Sequence, residues 1–286
     1  MPMCDGLTVV VTGAARGIGR AHVLELARQG AACVINDIDP SVSDTAELVR
    51  AKGGSAEVHI GDVADWNQAH ALINLAHERF GRLDALVNNA GILRNKPMVE
   101  FGAEEWSLVV STHINGTFFP SHAAIEYWQS QPESTSAGSL ICTTSKAGVY
   151  GMPGLSPYST AKSAIAGFVL ATSRELAASE IRVNGIAPSA FTAMSAEFGA
   201  PPPADEFDRL ASSPDNISPL VAWLASEESV GVTGRIFEVS YGHVALVDSW
   251  QPGAIHDQDT PLRTSEIPSI VGRLIEQSGP VPPYPA

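Results

Sequence analysis

The chain has 286 residues, 44% of them hydrophobic, with a formal net charge of -14, which is length enough for one large core and excludes a surface that neutralises nucleic-acid phosphates. No apolar run approaches the roughly 20 residues of a membrane span, and the opening Met-Pro-Met-Cys-Asp-Gly lacks the basic and apolar regions of a signal peptide. Three scattered cysteines (Cys4, Cys33, Cys142) without zinc-type spacing suggest a reducing compartment, so a cytoplasmic location is expected, with no membrane or nucleic-acid partner.

Residues 7–12, Leu-Thr-Val-Val-Val-Thr, are a short apolar β-branched run and read as a buried parallel strand. Gly13-Ala-Ala-Arg16-Gly17-Ile18-Gly19 follows at once, then a helical pattern to Gln29 that stops at Gly30. Strand, glycine turn and helix in this order point to a dinucleotide site. The glycines let the backbone approach a pyrophosphate, and the helix N-terminus offers amide hydrogens. The alternative is an ordinary turn between strand and helix. The next strand, 32–36, ends in Asp37, 18 residues past Gly19 and close to the offset of a carboxylate that bonds the adenosine ribose. A carboxylate there accepts from a 2′-hydroxyl and repels a 2′-phosphate, so NAD is expected over NADP. Arg16 pulls weakly the other way.

Residues 41–52 read as a helix closed by Gly53-Gly54, and 56–60 as a strand ending in Gly61-Asp62-Val63. Asp62 there either accepts from the adenine amino group or caps loop amides. A helix over 65–80 stops at Gly81; its His70 and His77 read as solvent-facing, the chain has no His-x-x-x-His pair, and no metal site is expected. The strand 83–87 runs into Asn88-Asn89-Ala90-Gly91, small residues that leave room for a ligand or simply suit a turn. From Glu104 one long helix is expected, with Asn115 inside it, either holding a water or exposed, and Pro120 limiting its regularity. A loop over 131–138 leads to a strand over 139–144, which delivers Ser145 at its carboxyl end.

The stretch from Ser145 to Lys162 carries the chemistry. Tyr158 and Lys162 are four apart, and with Pro157 in the first turn of a helix over 157–179 they share one face. A cation beside a phenol favours the phenolate, so Tyr158 is suited to pass a proton to or from a substrate oxygen near neutral pH. The Ser145 hydroxyl is placed to hold the same oxygen. The alternative is a surface Tyr-x-x-x-Lys pair. After a strand over 181–186, the loop Ala187-Pro188-Ser189-Ala190-Phe191-Thr192 is a candidate for nicotinamide and substrate contacts. The segment of about 190–213, with Pro201-Pro202-Pro203, reads as a substrate lid. A helix over 217–225 and a strand over 235–239 follow, and from Tyr241 periodicity fades into an extended, partly ordered tail. The expected architecture is a single-domain, Rossmann-like α/β fold over 1–242, a doubly wound parallel sheet of about seven strands with helices on both faces, followed by a C-terminal extension over 243–286.

In order, Thr12-Gly13-Ala-Ala-Arg-Gly17-Ile18-Gly19, Asp62-Val63, Asn88-Asn89-Ala90-Gly91, Asn115, Ser145, Tyr158-Ser-Thr-Ala-Lys162 and Pro188 with Thr192 resemble the short-chain dehydrogenase/reductases over roughly residues 6–242. The resemblance implies a catalytic tetrad. Tyr158 is the acid/base, Ser145 orients the substrate, Lys162 binds the nicotinamide ribose and lowers the tyrosine pKa, and Asn115 holds a water in a proton relay. It implies cofactor contacts at Gly13, Arg16, Gly17, Ile18 and Gly19, at Asp37, Asp62 and Val63, at Asn89, Ala90 and Gly91, at Tyr158 and Lys162, and at Pro188 and Thr192. It also implies a homotetramer or homodimer paired through the helices at about 104–130 and 157–179. Ser189 stands where most members have glycine.

Within the family, Val34-Ile-Asn-Asp37, Ala90-Gly-Ile-Leu-Arg94, Thr143-Thr-Ser-Lys-Ala-Gly-Val-Tyr-Gly151, Ile186-Ala-Pro-Ser-Ala190 and Ser218-Pro-Leu-Val-Ala-Trp-Leu224 are similar to the (3R)-hydroxyacyl-CoA dehydrogenase units of multifunctional enzyme type 2 and its bacterial relatives. The expected function is NAD-dependent interconversion of a secondary alcohol and a ketone by hydride transfer, on a 3-hydroxyacyl-CoA or sterol-like lipid. Two alternatives stand beside it, an NADPH-dependent 3-oxoacyl thioester reductase and a non-catalytic nucleotide-sensing protein.

Overall fold

A computed structural model of the chain describes residues 2–132, 137–197, 201–248, 251 and 253–279. Parts of the loop expected over 131–138, of the lid and of the tail therefore lie outside the described residues. By contact the chain divides into residues 1–246 and 247–286. Strands and helices alternate as β1 (Thr8–Thr12), α1 (Gly17–Arg28), β2 (Ala32–Asp37), α2 (Val42–Ala51), β3 (Ala56–Ile60), α3 (Trp66–Phe80), β4 (Ala85–Asn88), α4 (Ala103–Val110), α5 (Gly116–Ser130), β5 (Gly138–Thr143), α6 (Lys146–Tyr150), α7 (Ser156–Glu175) and β6 (Ile181–Pro188). Then come α8 (Ala193–Glu197), α9 (Glu206–Ala211), α10 (Ser218–Ala225), β7 (Ile236–Ser240) and β8 (His243–Val247), and α11 (Ile267–Ser278) in the second unit.

The sheet order is β3-β2-β1-β4-β5-β6-β7-β8, and the pairings from β3 through β7 are all parallel. Every residue of β1 and of β5 is buried, as a parallel strand covered on both faces requires, which is why these runs are apolar without alternation. Strand order reverses between β1 and β4. At such a switch point the loops leaving the strand carboxyl ends diverge and open a crevice.

The expected sheet of about seven strands is present, with eight among the described residues: the tight Tyr241-Gly242 turn, with Gly242 at φ +63°, brings β8 back beside β7. Two expectations are corrected. The tail is not simply extended, because Ile267, Ile270, Val271, Leu274 and Ile275 repeat at helical spacing and form α11, with a proline in its first turn and Gly279 after its end. The long helix from Glu104 is broken between α4 and α5 by a π turn, Ser111–Asn115, one turn ahead of Pro120. Such wide turns insert a residue into the helical phase and cluster at functional sites.

Candidate active site

The nucleotide half of the crevice is built by backbone. Gly13 and Gly17 have φ of +66° and +59°, which only glycine adopts without strain. A Cβ on Gly13 would stand 2.7 Å from Ala90 Cα, and one on Gly19 would reach Asn89 Nδ2 at 2.6 Å and overlap the Gly13 carbonyl. The glycine loop is therefore packed directly on the loop after β4. Asn89 Nδ2 donates to the carbonyls of Thr12 and Gly13 at 3.0 and 3.1 Å, and Thr12 Oγ1 accepts from the amides of Asn89 and Ala90, both at 3.0 Å. The first turn of α1 has neither a side-chain cap nor an acidic residue, so its amides face outward as an anion site. This cradle fits a dinucleotide pyrophosphate.

Asp37 closes the loop from the β2 side. Its Oδ2 accepts from the Ala15 amide at 2.9 Å and its Oδ1 from the Asp39 amide at 3.0 Å. Ionised carboxylate oxygens each accept more than one bond, so these contacts leave capacity for ribose hydroxyls. Arg16 is exposed at the head of α1. Asp62 is exposed and accepts from the Ala64 amide at 2.8 Å, closing a turn, while Val63 is buried beside Gly116. The loop after β6 reaches over the glycine loop, the Thr192 methyl lying 3.6 Å from the position of a Cβ on Gly17. Ser189 donates its amide to the Val239 carbonyl at 3.0 Å, and among the described residues no non-glycine residue has positive φ, so serine at this position needs none of glycine's freedom.

The candidate catalytic half forms where β5 ends. Ser145 is the N-cap of α6, its Oγ accepting from the Ala147 amide at 3.1 Å. α6 lies tight against α7, since a Cβ on Gly148 would stand 2.6 Å from Lys162 Cβ. Lys162 is held from both ends: Nζ donates to the Thr143 carbonyl at 2.6 Å, and its own carbonyl accepts from Thr144 Oγ1 at 2.7 Å. Tyr158 is one turn back on α7, with Lys162 Nζ 5.7 Å from its ring centroid. Burial pulls the Lys162 ammonium down to about 7, against a small opposing pull from Cys142. The structure thus sets Tyr158 and Lys162 one turn apart on α7, with Lys162 hydrogen-bonded to Thr143 and Thr144, the two residues that precede Ser145.

Asn115 sits in the π turn, and its amide donates to Ser111 Oγ at 3.2 Å. The ring that packs edge-on against Tyr158, at 5.2 Å between centroids, is that of His113. His113 is buried, lies against Gly91, and its Nε2 is 2.6 Å from the Ile92 carbonyl. The Ile92 amide lies 3.2 Å from the same nitrogen, the shorter contact to the carbonyl calls for a proton on Nε2, and Nδ1 is buried without a hydrogen-bond partner among the described residues. Burial, with Lys162 second, pushes its pKa down to about 3. Sequence reasoning missed His113; the available signal was an imidazole two positions before Asn115. It also missed Glu238 of β7, which is buried and accepts from the Tyr150 hydroxyl, with Lys146 Nζ at 3.8 Å, so tying α6 to the sheet.

The profile of the short chain dehydrogenases matches residues 7–201. Hydroxyacyl-CoA dehydrogenase ChsB1 of Mycobacterium tuberculosis is 36% identical over 254 residues, which cover 85% of this chain and 80% of that protein. The peroxisomal hydratase-dehydrogenase-epimerase of Saccharomyces cerevisiae is 40% identical over 268 residues, 87% of this chain but 29% of that protein, so the chain spans less than a third of its length. A short chain dehydrogenase from Mycobacterium avium, known by crystal structure, has a TM-score of 0.89 at 36% identity, covering 99% of this chain and 100% of that one. The chain belongs to the short-chain dehydrogenase family, oxidoreductases that use a nicotinamide nucleotide.

Proposed function

We propose that the chain interconverts a secondary alcohol and a ketone with NAD, Tyr158 acting as acid/base. The observation that carries this reading is the buried, doubly anchored Lys162 one turn from Tyr158, with Ser145 following directly on the two threonines that anchor the lysine. In oxidation, Tyr158 takes the proton of the substrate hydroxyl while Ser145 Oγ donates to the same oxygen; in reduction, Tyr158 returns it. The nicotinamide, when bound, supplies or accepts the hydride. Gly13, Gly17, Gly19 and the first turn of α1 hold the pyrophosphate, Asp37 the adenosine ribose, Lys162 and Tyr158 the nicotinamide ribose, and Asn89–Gly91, Pro188 and Thr192 the remaining edges. Asn115 and His113 both stand on the π turn next to this machinery. The relay that the family resemblance gives to Asn115 has His113 as a competitor, because the His113 ring packs edge-on against Tyr158.

The substrate is a 3-hydroxyacyl-CoA or a sterol-like lipid alcohol. A relative named as a hydroxyacyl-CoA dehydrogenase supports this, and so do apolar side chains exposed around the catalytic edge: Tyr150 and Met152 after Ser145, and Phe207 and Leu210 in the lid. The lid ends are joined by the Phe191 amide, which donates to the Ser212 carbonyl at 2.7 Å. The chain assembles as a dimer or tetramer through α4, α5 and α7, where Trp106, Leu108 and Phe118 are exposed; a monomeric mass by light scattering would exclude this. The test of the reaction is turnover of a (3R)-hydroxyacyl-CoA with NAD by wild type and Tyr158→Phe. The variant is expected to fold, bind NADH and lose about 100-fold or more in kcat. Wild-type turnover in the variant would sink the mechanism, and tighter NADPH than NADH binding would move the reading to 3-oxoacyl thioester reduction, as in the 30% identical reductase FabG of Thermotoga maritima.

A further inference from the structure

Away from the crevice, three side chains with metal-ligating atoms converge between α3 and α5. His70 comes from α3, while His122 and Glu126 come from α5, four apart and so on one face. One ligand atom from each lies within 4.8 Å of the other two, and His70 Nε2 is 3.7 Å from Glu126 Oε2. His70 Nδ1 is 2.8 Å from the Trp66 carbonyl, a contact that only an N–H makes. The lone pair is therefore on Nε2, the atom beside Glu126, with its ring oriented by a backbone carbonyl as metal-bound imidazoles are. The Trp66 ring stands against both imidazoles, with centroids 4.4 Å from His70 and 4.8 Å from His122, and packs edge-on to Phe119 at 5.2 Å.

We infer that His70, His122 and Glu126 form a binding site for a divalent transition-metal ion of the zinc class, which clamps α3 to α5. Two imidazole nitrogens and one carboxylate oxygen suit zinc, cobalt or nickel; calcium and magnesium prefer oxygen shells. A tetrahedral shell with bonds of about 2.1 Å sets its ligand atoms about 3.4 Å apart. His122 and Glu126 are exposed, so rotation of those two side chains closes the difference without disturbing the core. Three protein ligands leave the fourth position to water or a small anion. The expectation of no metal site rested on histidine spacing, and that spacing conceals the cluster: the one-turn pair is His-x-x-x-Glu, and the third ligand stands 52 residues earlier.

The full chain, purified without a polyhistidine tag and stripped with chelator, is titrated with Co2+ while visible ligand-field absorption is followed, and then back-titrated with Zn2+. The expected result is one ion per chain, absorption of four- or five-coordinate intensity that Zn2+ displaces, and a Co2+ Kd raised at least about tenfold in both His122→Ala and Glu126→Gln. His77→Ala, which removes an imidazole of α3 that lies by Tyr127 instead, leaves binding unchanged. Absence of saturable binding overturns the inference, as does binding that both ligand variants leave intact. The trio is then an ion pair that forms only when His70 is protonated.

Discussion

Lys162→Met separates what the active site needs from what the fold prefers. The side chain is 3% exposed, and burial lowers its pKa from the usual 10.5 to about 7. At ~1.4 kcal/mol per pKa unit, holding the charged form inside costs on the order of 5 kcal/mol. Methionine has similar length and no charge. It forfeits the bond to the Thr143 carbonyl, and a buried acceptor left unpaired costs about 1–3 kcal/mol. The variant is therefore expected to be more stable than wild type by roughly 2–4 kcal/mol at pH 7, and at least about 100-fold slower. The sign with pH follows from proton counting. Between about pH 7 and 10.5 the unfolded lysine holds a proton that the folded one has released, so wild-type stability rises with pH and the burial penalty fades. Methionine lacks that increment. The advantage of the variant should shrink by about 3 kcal/mol between pH 7 and 9.5, measured as the difference between two urea unfolding curves at each pH, which cancels the other titrating groups. A gap that does not change with pH, or a variant less stable at pH 7, would refute the reasoning.

Acid acts through two other buried groups. Burial pushes His22 and His113 down to about 3; their usual value is 6.5, so below it the unfolded chain binds more protons and stability falls as pH drops. From pH 7 to 5 the pair should cost about 4 kcal/mol, read by denaturant midpoints, and His22→Leu should remove about half of that loss; an unchanged loss in the variant refutes it. His113→Ala should lower kcat at least about tenfold, ~1.4 kcal/mol in barrier, while Asn115→Ala changes it little. The reverse ranking, in steady-state kinetics, would restore Asn115 as the sole relay residue. Asp37→Asn keeps an acceptor for the Ala15 amide but removes the charge, so fluorescence titration should show the preference for NADH over NADPH narrowing at least about tenfold, again ~1.4 kcal/mol. No change in the ratio would assign Asp37 to loop shaping alone.

The parts of this fold that were legible in the sequence are those set by local rules. β1 and β5 read as continuous apolar runs because both faces are covered, and Gly13, Gly17 and Gly19 stood out because close approach and positive φ leave a glycine no substitute. The Tyr158–Lys162 pair was legible because four residues of regular helix put both on one face. What stayed hidden depends on breaks in regularity or on partners far apart in the chain. α11 was passed over because proline and a central glycine dilute its apolar repeat. His70 meets His122 and Glu126 only because α3 packs along α5, a contact no single stretch of sequence encodes.

The same logic explains why Asn115 and not His113 was singled out. A regular helix of 3.6 residues per turn would carry one phase through the whole stretch from Glu104. The π turn at Ser111–Asn115 shifts that phase by about one residue, roughly 100° around the axis. A side chain's facing beyond the shift no longer follows from α4. The outcome is physical: Asn115 turns back along its own helix to Ser111, and His113 enters the space between Gly91 and Tyr158, where a Cβ at residue 91 would collide with it. The glycine of the Asn-Ala-Gly turn is thus explained by the histidine that fills the room above it. Gly91 and His113 should accordingly behave as a coupled pair, their substitutions non-additive, while Gly91 and Asn115 should not.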